Sequence, residues 1–571
     1  MKRLLPLLLA LVLAGACHPA NPTYRNPEKP AVPDPPSEKP EGCNVAGRVV
    51  DAVTGEGIPG VVASDGWQCT RTGADGWFYL TSIPSQVKFV WVSSPSGYLP
   101  PVERGLPVFY KQISAVTPDE SGLYNFGLYE MTPVSRPDDF TLIISADPQP
   151  RASGNRSDRY AFHSLDVCED YYQELHDVSA AITDRRVLGL CLGDIVHENT
   201  SLFGKYELGL SKLNYPTYNI IGNHDHNPAA ADDAAGAADF ESHFGPANYS
   251  FNAGGIHFVV LDDVLMKKNA DGSLKDYDAG LTDAAMNWLR ADLAYVPTST
   301  TLVVCAHIPM FRQESGSERS NTAVHGADYG ALLDQYDEVH AWAGHTHTSF
   351  NYVYPESHRH KRVQVHTLAR STGELWLNEY LASGTPRGFT VAEVRGGKIV
   401  SWRFHPTRYQ RADWIGMASN GLTSKKPSYQ WRDWDYDASG LAVMRGGASQ
   451  LLDEDYQMHV YPRGAYGDNC VYVNVFLWDD KWEAPVFTPD GGVPVAMEKV
   501  TASSRHDLAT TEIKTHYKTY TSPLHDSADY SGSTTGSITT LFRVEVPATP
   551  SRGTVRVTDR FGNTYSRAVS W

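Results

Sequence analysis

Five apolar segments of this 571-residue chain each end on a side chain that carries a ligand oxygen or an imidazole. In TLIISADPQP, the apolar run Leu142–Ala146 stops at Asp147, directly before Pro148. Aspartate before proline also opens ordinary turns, so this segment alone decides nothing. Four further segments end in the same way: CLGDIVHE, IIGNHDHN, VVCAHIPM and WAGHTHTS. Since sites in open α/β sheets form at the carboxyl ends of strands, the pattern favours an α/β fold in which these ends meet in one cleft.

The alternation of strand-like and helical segments assigns this α/β domain to residues 138–408. Stretches such as DYYQELHDVSAAITD and LTDAAMNWLRADLAYV are predicted helices between apolar strands. Short strands with Gly and Asp turns predict all-β domains on either side, at residues 43–135 and 412–571. The first resembles the small β-sandwich modules of the carboxypeptidase-regulatory type. The expected architecture is therefore a central α/β domain between an N-terminal β-sandwich and a C-terminal antiparallel β domain.

The N-terminus has the features of an export signal. Two basic residues precede the apolar run Leu4–Leu13, which covers about half of a bilayer core and is too short to span it. The following LAGAC resembles the lipobox of bacterial lipoproteins, in which the cysteine, here Cys17, is lipidated. The match departs from the common pattern at Ala14, where leucine is usual, and a plain secretory peptide is the alternative. Residues 1–17 are thus a predicted lipoprotein signal peptide, and the expected location is the cell envelope, periplasmic or on the cell surface.

Composition restricts the partners further. Residues 18–42 are rich in proline and charge and predict an extended tether behind the lipid anchor. The formal charge of −17 argues against nucleic-acid binding through bulk electrostatics. An exported chain permits disulfides, and Cys43 with Cys69 is the pair to consider. The histidine-containing segment Glu356–His366 is interpreted as a solvated hairpin tip, because nothing in the sequence orients its rings.

The strand-end motifs resemble those of the calcineurin-like metallophosphoesterase superfamily. That family's pattern runs D-x-H, G-D, G-N-H-[DE], H and G-H-x-H. This chain has D-P-Q at 147–149, G-D at 193–194, G-N-H-D at 222–225, a histidine at 307 and G-H-T-H at 344–347. The resemblance implies a central αββα sandwich, two sheets with helices outside. It also implies two divalent metal ions that activate a water, with manganese the first expectation and zinc or iron the alternatives.

The resemblance also assigns a role to each residue of the motifs. It makes Asp194 the bridge between the metals, with Asp147 and His347 on the first. The ligands implied for the second metal are Asn223, His307 and His345. His224 would protonate the leaving oxygen, and Asp225 would orient its ring.

One position departs from the family pattern. Gln149 stands where the family usually has histidine. Its amide oxygen is a harder and weaker donor than imidazole nitrogen, and oxygen ligands suit manganese or magnesium. We therefore expect a first metal site that includes Gln149, binds more weakly than the second and favours manganese.

The function implied is a metal-dependent phosphoesterase that acts on a phosphomonoester or a phosphodiester, with pyrophosphate and phosphoprotein substrates also open. Trp342, Trp376 and Arg312 are candidates for the pocket walls. The alternative is a cell-envelope binding lipoprotein whose central domain is catalytically weak or degenerate. The nearly complete ligand set favours the enzyme.

Overall fold

The computed structural model describes residues 39–83, 87–113, 123–131, 138–151, 161–269, 271–313, 316–373, 381, 385–407, 434–436, 442–444, 457–464, 468–500 and 540–571. Cys17, most of the predicted tether, and the predicted boundaries at residues 135, 408 and 412 lie outside these ranges. None of the described helices combines the length and the hydropathy that a membrane span requires.

The N-terminal part is a β-sandwich of two four-stranded sheets, in the orders β4-β1-β10-β6 and β3-β2-β5-β9. Apolar side chains of both sheets, such as Val49, Phe78 and Val90, form the core between them. Cys43 and Cys69 are free thiols, so the disulfide considered from the sequence does not form in this structure. The strands are β1 Val45–Asp51, β2 Val62–Ser64, β3 Cys69–Arg71, β4 Trp77–Leu80, β5 Phe89–Ser93, β6 Tyr98–Leu99, β7 Val102–Glu103, β8 Leu106–Pro107, β9 Tyr110–Gln112 and β10 Phe126–Glu130.

The central part alternates strands and helices, as the sequence pattern predicts. Its strands are β11 Phe140–Ser145, β12 Arg186–Cys191, β13 Thr217–Asn219, β14 Tyr249–Ala253, β15 Ile256–Val260, β16 Val264–Lys268, β17 Leu274–Ala279, β18 Thr301–Cys305, β19 Val339–Ala343, β20 Phe350–Val353, β21 Val363–Thr367, β22 Gly388–Arg395 and β23 Lys398–Pro406. Its helices are α1 Ala161–Ala181, α2 Phe203–Leu210, α3 Asp233–Gly236, α4 Ala238–Phe244, α5 Asp283–Leu293 and α6 Gly326–Leu333, with short 3-10 turns at Thr200–Leu202 and Arg319–Asn321.

Two sheets form the middle of this domain. The five-stranded sheet has the order β13-β12-β11-β22-β23, and the six-stranded sheet has the order β14-β15-β18-β19-β21-β20. Strands β11, β12 and β13 are parallel neighbours, as are β15, β18, β19 and β21. Because parallel neighbours end at the same edge, this topology brings the motif-bearing strand ends of each sheet together.

The helices cover the outer faces of the two sheets. Along β11, Leu142 and Ile144 join the core shared with the second sheet, whereas Ile143 packs with the residues of α1 and α2. This alternation is the two-residue period of a strand buried on both faces. Helix α5 begins where the Thr282 side chain accepts the Ala285 N–H at 3.1 Å, a standard N-cap. The expected αββα sandwich is therefore confirmed.

The C-terminal part is again all-β and antiparallel. Its two larger sheets have the orders β26-β27-β31-β30 and β29-β28-β32-β33. It packs against the central domain through Phe561, whose ring lies edge-on to Trp402 at 4.7 Å. The strands are β24 Trp434–Tyr436, β25 Ala442–Met444, β26 Met458–Tyr461, β27 Cys470–Val475, β28 Val486–Pro489, β29 Val495–Ala496, β30 Glu498–Lys499, β31 Leu541–Glu545, β32 Arg552–Thr558 and β33 Thr564–Ser570.

Two interpretations from the sequence are wrong at strands β19 and β21 of the six-stranded sheet. The ring of His366 is buried and stacks on Trp342 at 4.0 Å, so the segment Glu356–His366 is not a solvated tip throughout. His360 is also buried, with its Nδ1 2.6 Å from Asp334 Oδ1. Trp342 is a core residue of β19 rather than a pocket wall, because successive strand residues face opposite sides of the sheet.

Candidate metal centre

The structure brings the five strand ends together in one cluster with a buried centre. Asp147 and Asp194 follow neighbouring strands β11 and β12 of the first sheet, and His307 follows β18 of the second. One ligand atom from each of these three residues lies within 4.8 Å of the others, and all three residues are buried. The cleft between the two sheets therefore gathers two carboxylates and an imidazole that are far apart in the sequence.

Asp194 lies at the middle of the cluster. Its Oδ1 accepts the backbone N–H of His224 at 2.9 Å and lies 3.2 Å from Nε2 of His307. Its Oδ2 accepts from the amide Nε2 of Gln149 at 2.5 Å. Asp194 thus contacts residues from both halves of the predicted ligand set.

One side of the cluster contains Asn223, His307 and His345. Nδ1 of His307 donates to the Leu192 carbonyl at 2.8 Å, which leaves Nε2 to face the cluster. That Nε2 lies 3.0 Å from Oδ1 of Asn223, and Nδ1 of His345 lies 2.9 Å from the same oxygen. The three predicted ligands of the second metal therefore converge on one point.

The other side contains Asp147, Gln149 and His347. Nε2 of His347 lies 3.6 Å from Oδ1 of Asp147. The Asp147 carboxylate also accepts the backbone N–H of His345, at 3.2 Å to each oxygen. The same His347 Nε2 accepts a hydrogen bond from the fully buried Arg370 at 3.0 Å.

The backbone at these positions is unusual. Among the described non-glycine residues with positive φ are Asp147, Gln149, Asp194, His345 and His347, with φ between 43° and 68°. Left-handed conformations cost free energy for residues with a Cβ, and they concentrate at functional sites where the surroundings enforce them. The fold therefore maintains local strain at five of the seven predicted ligands.

Two motif glycines are required by close approach. A Cβ at Gly222 would lie 2.3 Å from Oδ1 of Asp194, and one at Gly344 would lie 2.6 Å from Oδ2 of Asp147. Neither neighbour can move, since each carboxylate belongs to the cluster. The glycines of G-N-H-D and G-H-T-H thus allow the loops to pass directly over the carboxylates.

The protonation states of two of the histidines, His345 and His347, suit cation binding. Burial, helped by the charge of His307, lowers the pKa of His345 to about 3, and burial together with Arg370 lowers the pKa of His347 well below its usual value. Both rings are therefore neutral, which is the state that binds metals. Burial alone would raise the pKa of Asp194, but the charge and the hydrogen bond of His307 lower it well below the usual range. Burial raises the pKa of Asp147 to about 7.

The donor set fits a divalent cation. Carboxylate, amide and imidazole donors converge in a place with little solvent, where two carboxylates repel each other without a counter-charge. The amide oxygen of Gln149 is buried and accepts no hydrogen bond within the described part of the chain. An orphaned buried acceptor is costly, and a cation beside it would satisfy it. The residues present can therefore hold a metal ion, which the cluster of Asp147, Asp194 and His307 also indicates.

His224 stands beside the cluster rather than in it. Its side chain is about one quarter exposed, and its Nδ1 lies 3.5 Å from Oε1 of Glu198. Its ring stacks on that of His197, with centroids 4.4 Å apart. A partly exposed imidazole next to these candidate metal ligands can exchange a proton with a molecule bound beside it.

Asp225 differs from the expectation that it orients the His224 ring. Its carboxylate is fully buried and accepts backbone N–H groups of Ile195, Val196 and Gly222 at 2.8–3.0 Å. It therefore joins the loop after β12 to the loop after β13, and the carboxylate beside the His224 ring is Glu198. The physical reason is that three backbone donors converge on Asp225 and fix its direction away from the ring.

Comparison with known families agrees with this geometry. A family model for the N terminal of calcineurin-like phosphoesterase matches residues 43–131, and one for the C terminal of calcineurin-like phosphoesterase matches residues 371–565. The chain belongs to the calcineurin-like phosphoesterase superfamily. The cluster lies between the two matched segments, within residues 132–370. None of the curated proteins compared with this chain matches it.

Several solved structures are similar to this chain at low identity. A dimetal phosphatase from Danio rerio is 15% identical with a TM-score of 0.31, and the match covers 47% of this chain and 98% of that one. A purple acid phosphatase from yellow lupin (Lupinus luteus) seeds is 13% identical with a TM-score of 0.33, covering 61% and 72%. A 5'-nucleotidase from Candida albicans is 10% identical with a TM-score of 0.28, covering 47% and 51%.

The sequence interpretation missed four residues of this site. His197 and Glu198 are the last two residues of the segment CLGDIVHE, three and four positions after Asp194, so considering that segment to its end would have found them. Arg370 follows β21, and Asp263 follows β15, each at the same edge of the second sheet. The Asp263 carboxylate accepts the backbone N–H groups of His307 and Ile308 at 3.1 Å and so positions the His307 loop. Applying the strand-end rule to every apolar run would have identified both.

Arg312 and Trp376 are the other two candidates for the pocket walls. Arg312 donates to the Tyr352 hydroxyl at 2.7 Å, and its guanidinium lies over the Tyr352 ring at 4.1 Å. Trp376 lies outside the described residues.

Proposed function

We propose that this chain hydrolyses phosphate monoesters or diesters at a centre of two divalent cations, manganese first among them. Its family supports a metal-dependent phosphoesterase in general. The observation that carries the proposal is the position of Asp194, which contacts Gln149 on one side and His307 on the other. A carboxylate has two oxygens. One that lies between two groups of donors could therefore serve two cations at once.

The ligands divide into two groups. Asp147, Gln149 and His347 would hold the first cation, with Asp194 shared. Asn223, His307 and His345 would hold the second, again with Asp194. When bound, the two cations would neutralise phosphoryl oxygens and lower the pKa of a water molecule.

The chain's own groups around the cluster orient the reaction. The backbone N–H of His224 donates to Asp194, which fixes the loop that carries Asn223. Glu198 faces Nδ1 of His224, which leaves Nε2 of that ring to protonate the oxygen of the departing group. The stacked His197 ring restricts the rotation of His224 from one side.

The test combines metal analysis with hydrolysis. We expect the purified protein to bind about two equivalents of Mn²⁺ and to hydrolyse p-nitrophenyl phosphate or bis-p-nitrophenyl phosphate. Asp194→Asn should lose metal and activity together. Asp51→Asn is the matched control, because Asp51 is also buried but accepts N–H groups in a turn of the N-terminal sandwich.

Two results would contradict the proposal. Less than about one equivalent of metal, with no turnover of either ester in added Mn²⁺, would favour the binding-lipoprotein alternative. Retention of full metal content in Asp194→Asn would refute the bridging role.

We further propose that Cys17 is lipidated and that the enzyme is held at the cell envelope by this anchor. The support is the sequence LLPLLLALVLAGAC and the Pro-rich segment that follows it.

A further inference from the structure

A β-hairpin outside the two sheets forms one wall beside the cluster. Among the described strands, β16 and β17 pair with each other and with no other strand, and the hairpin leaves the domain directly after Asp263 and returns at Gly280. Tyr277 lies on β17, and its ring meets the His345 ring edge-on, with centroids 5.9 Å apart and planes at 84°. An aromatic ring with a hydroxyl group therefore borders the predicted second metal site.

A second segment is attached to the end of this hairpin. The N–H of Val324 donates to the Ala279 carbonyl at 3.1 Å, and the N–H of Leu281 donates to the Val324 carbonyl at 3.0 Å. On the other side, the N–H of Ser320 donates to the carbonyl of Met310 at 2.6 Å. Met310 lies in the loop that follows His307. The 3-10 turn Arg319–Asn321 is thus held between the hairpin and the His307 loop.

Arg319 opens this turn, and none of the described acidic residues pairs with its guanidinium. Its side chain is half-buried, and within the described part of the chain no hydrogen bond or ion pair engages its guanidinium. The adjacent acid, Glu318, is directed elsewhere: its Oε1 lies 3.6 Å from Nε2 of His358 and its Oε2 accepts from Asn321. A half-buried guanidinium that is unpaired within the described residues has given up part of its hydration, so an anion that reaches it gains more than at the open surface.

The charge of Arg319 acts on both groups that border the site. Burial chiefly lowers the pKa of His345, and Arg319 contributes in the same direction. Burial raises the pKa of Tyr277, and Arg319 opposes that rise. The guanidinium is therefore within electrostatic range of the hairpin ring and of the cluster.

We propose that Tyr277 and Arg319 form a subsite that binds a second phosphate group of the substrate, next to the phosphoryl group that is cleaved. This inference rests on the proposed phosphoesterase function. A guanidinium fork binds phosphate through two parallel hydrogen bonds, and the Tyr277 hydroxyl supplies a further donor. Because the whole chain carries a formal charge of −17, a polyanionic substrate needs such a local cation. The substrate class is thus an organic bisphosphate or a diphosphate ester.

Binding of unreactive analogues tests the subsite without turnover. Calorimetry on the Mn²⁺-loaded protein would compare a three-carbon bisphosphonate with the matching monophosphonate. We expect tighter binding of the bisphosphonate, and Arg319→Gln should reduce this preference by roughly tenfold or more, the scale of a charge-assisted hydrogen bond. Methylene bisphosphonate is the analogue of a diphosphate ester. If Arg319→Gln selectively loses affinity for this analogue, the natural substrate carries two linked phosphates. If it selectively loses affinity for the three-carbon analogue, the substrate carries two separate phosphates.

Two further variants separate the subsite from general effects. Arg290→Gln is the matched control, because Arg290 is paired with Asp328 at 2.9 Å on the surface, and the preference should not change. Tyr277→Phe keeps the ring against His345 and removes only the hydroxyl, so a smaller loss of preference is expected.

The outcomes are distinguishable from failure of the proposed function. Equal weakening of both phosphonates in Arg319→Gln would overturn the inference, since Arg319 would then contact the cleaved phosphoryl group. An unchanged preference in Arg319→Gln would also overturn it. In either case hydrolysis of nitrophenyl esters by the wild type would leave the phosphoesterase function intact.

Discussion

The buried ion pair between His226 and Asp262 supplies a quantitative prediction about the loop that carries Asn223 and His224. Nε2 of His226 lies 3.5 Å from Oδ2 of Asp262, and its Nδ1 donates to the Gly222 carbonyl at 2.9 Å. The imidazole has no solvent exposure. The His226 ring, paired with Asp262, therefore fixes Gly222 at the start of this loop.

The magnitude follows from the pKa of His226. Burial alone would lower it, but the Asp262 carboxylate raises it from 6.5 to about 9. A histidine with a raised folded-state pKa stabilises the protein fully below the unfolded pKa, and this contribution is lost as the pH rises through the folded value. The difference of about 2.5 pKa units corresponds to about 3 kcal/mol between pH 6.5 and pH values above 9.

The perturbation is His226→Asn, which can keep the hydrogen bond to Gly222 but carries no charge. We expect the wild type to lose its stability advantage over this variant as the pH rises from 6 to 10. For a domain of this size, about 3 kcal/mol corresponds to a change in the Tm difference of the order of 5–10 °C. Scanning calorimetry of both proteins across this pH range measures the difference directly.

Two further variants complete the experiment. Asp262→Asn should flatten the pH dependence as His226→Asn does, because either change removes the pair. His176→Asn, a partly exposed histidine of α1, should follow the wild type. If His226→Asn and the wild type lost stability in parallel from pH 6 to 10, the ion pair would not be charged in the folded protein.

Three other predictions concern the proposed chemistry and location. His224→Asn should keep its metal and lose roughly 10²–10⁴-fold in kcat, with a smaller loss on nitrophenyl esters than on alkyl esters; an equal loss on both would contradict the general-acid role. Gln149→His should raise the Zn²⁺ affinity of one site relative to Mn²⁺ in a calorimetric titration; identical affinities in both proteins would show that Gln149 is not a ligand. Cys17→Ser should move the protein from the membrane fraction to the soluble fraction, and retention in the membrane would indicate a different anchor.

The sequence by itself determined the fold class and the types of ligand. An apolar run followed by Asp147 or His307 is a local sequence pattern. Because a buried strand ends at the edge of its sheet, the polar residue that follows it also lies at that edge. The glycines at 222 and 344 could also be read from the motifs. For these reasons an α/β fold and the gathering of the ligand residues at one edge were predictable from the sequence, and the resemblance to the phosphoesterase motifs added the αββα sandwich.

Only the tertiary structure decided which side chains face each other. Asp225 is next to His224 in sequence, yet it turns to three backbone donors, and Glu198 from another loop faces the ring. Arg319 and Tyr277 lie on segments whose meeting depends on how the hairpin pairs with Val324. Such pairings depend on the paths of loops through space, and no periodicity or composition encodes them. His366 is buried against Trp342 for the same reason. The neighbouring strand β19, rather than the sequence of β21 itself, determines whether this histidine is exposed to solvent.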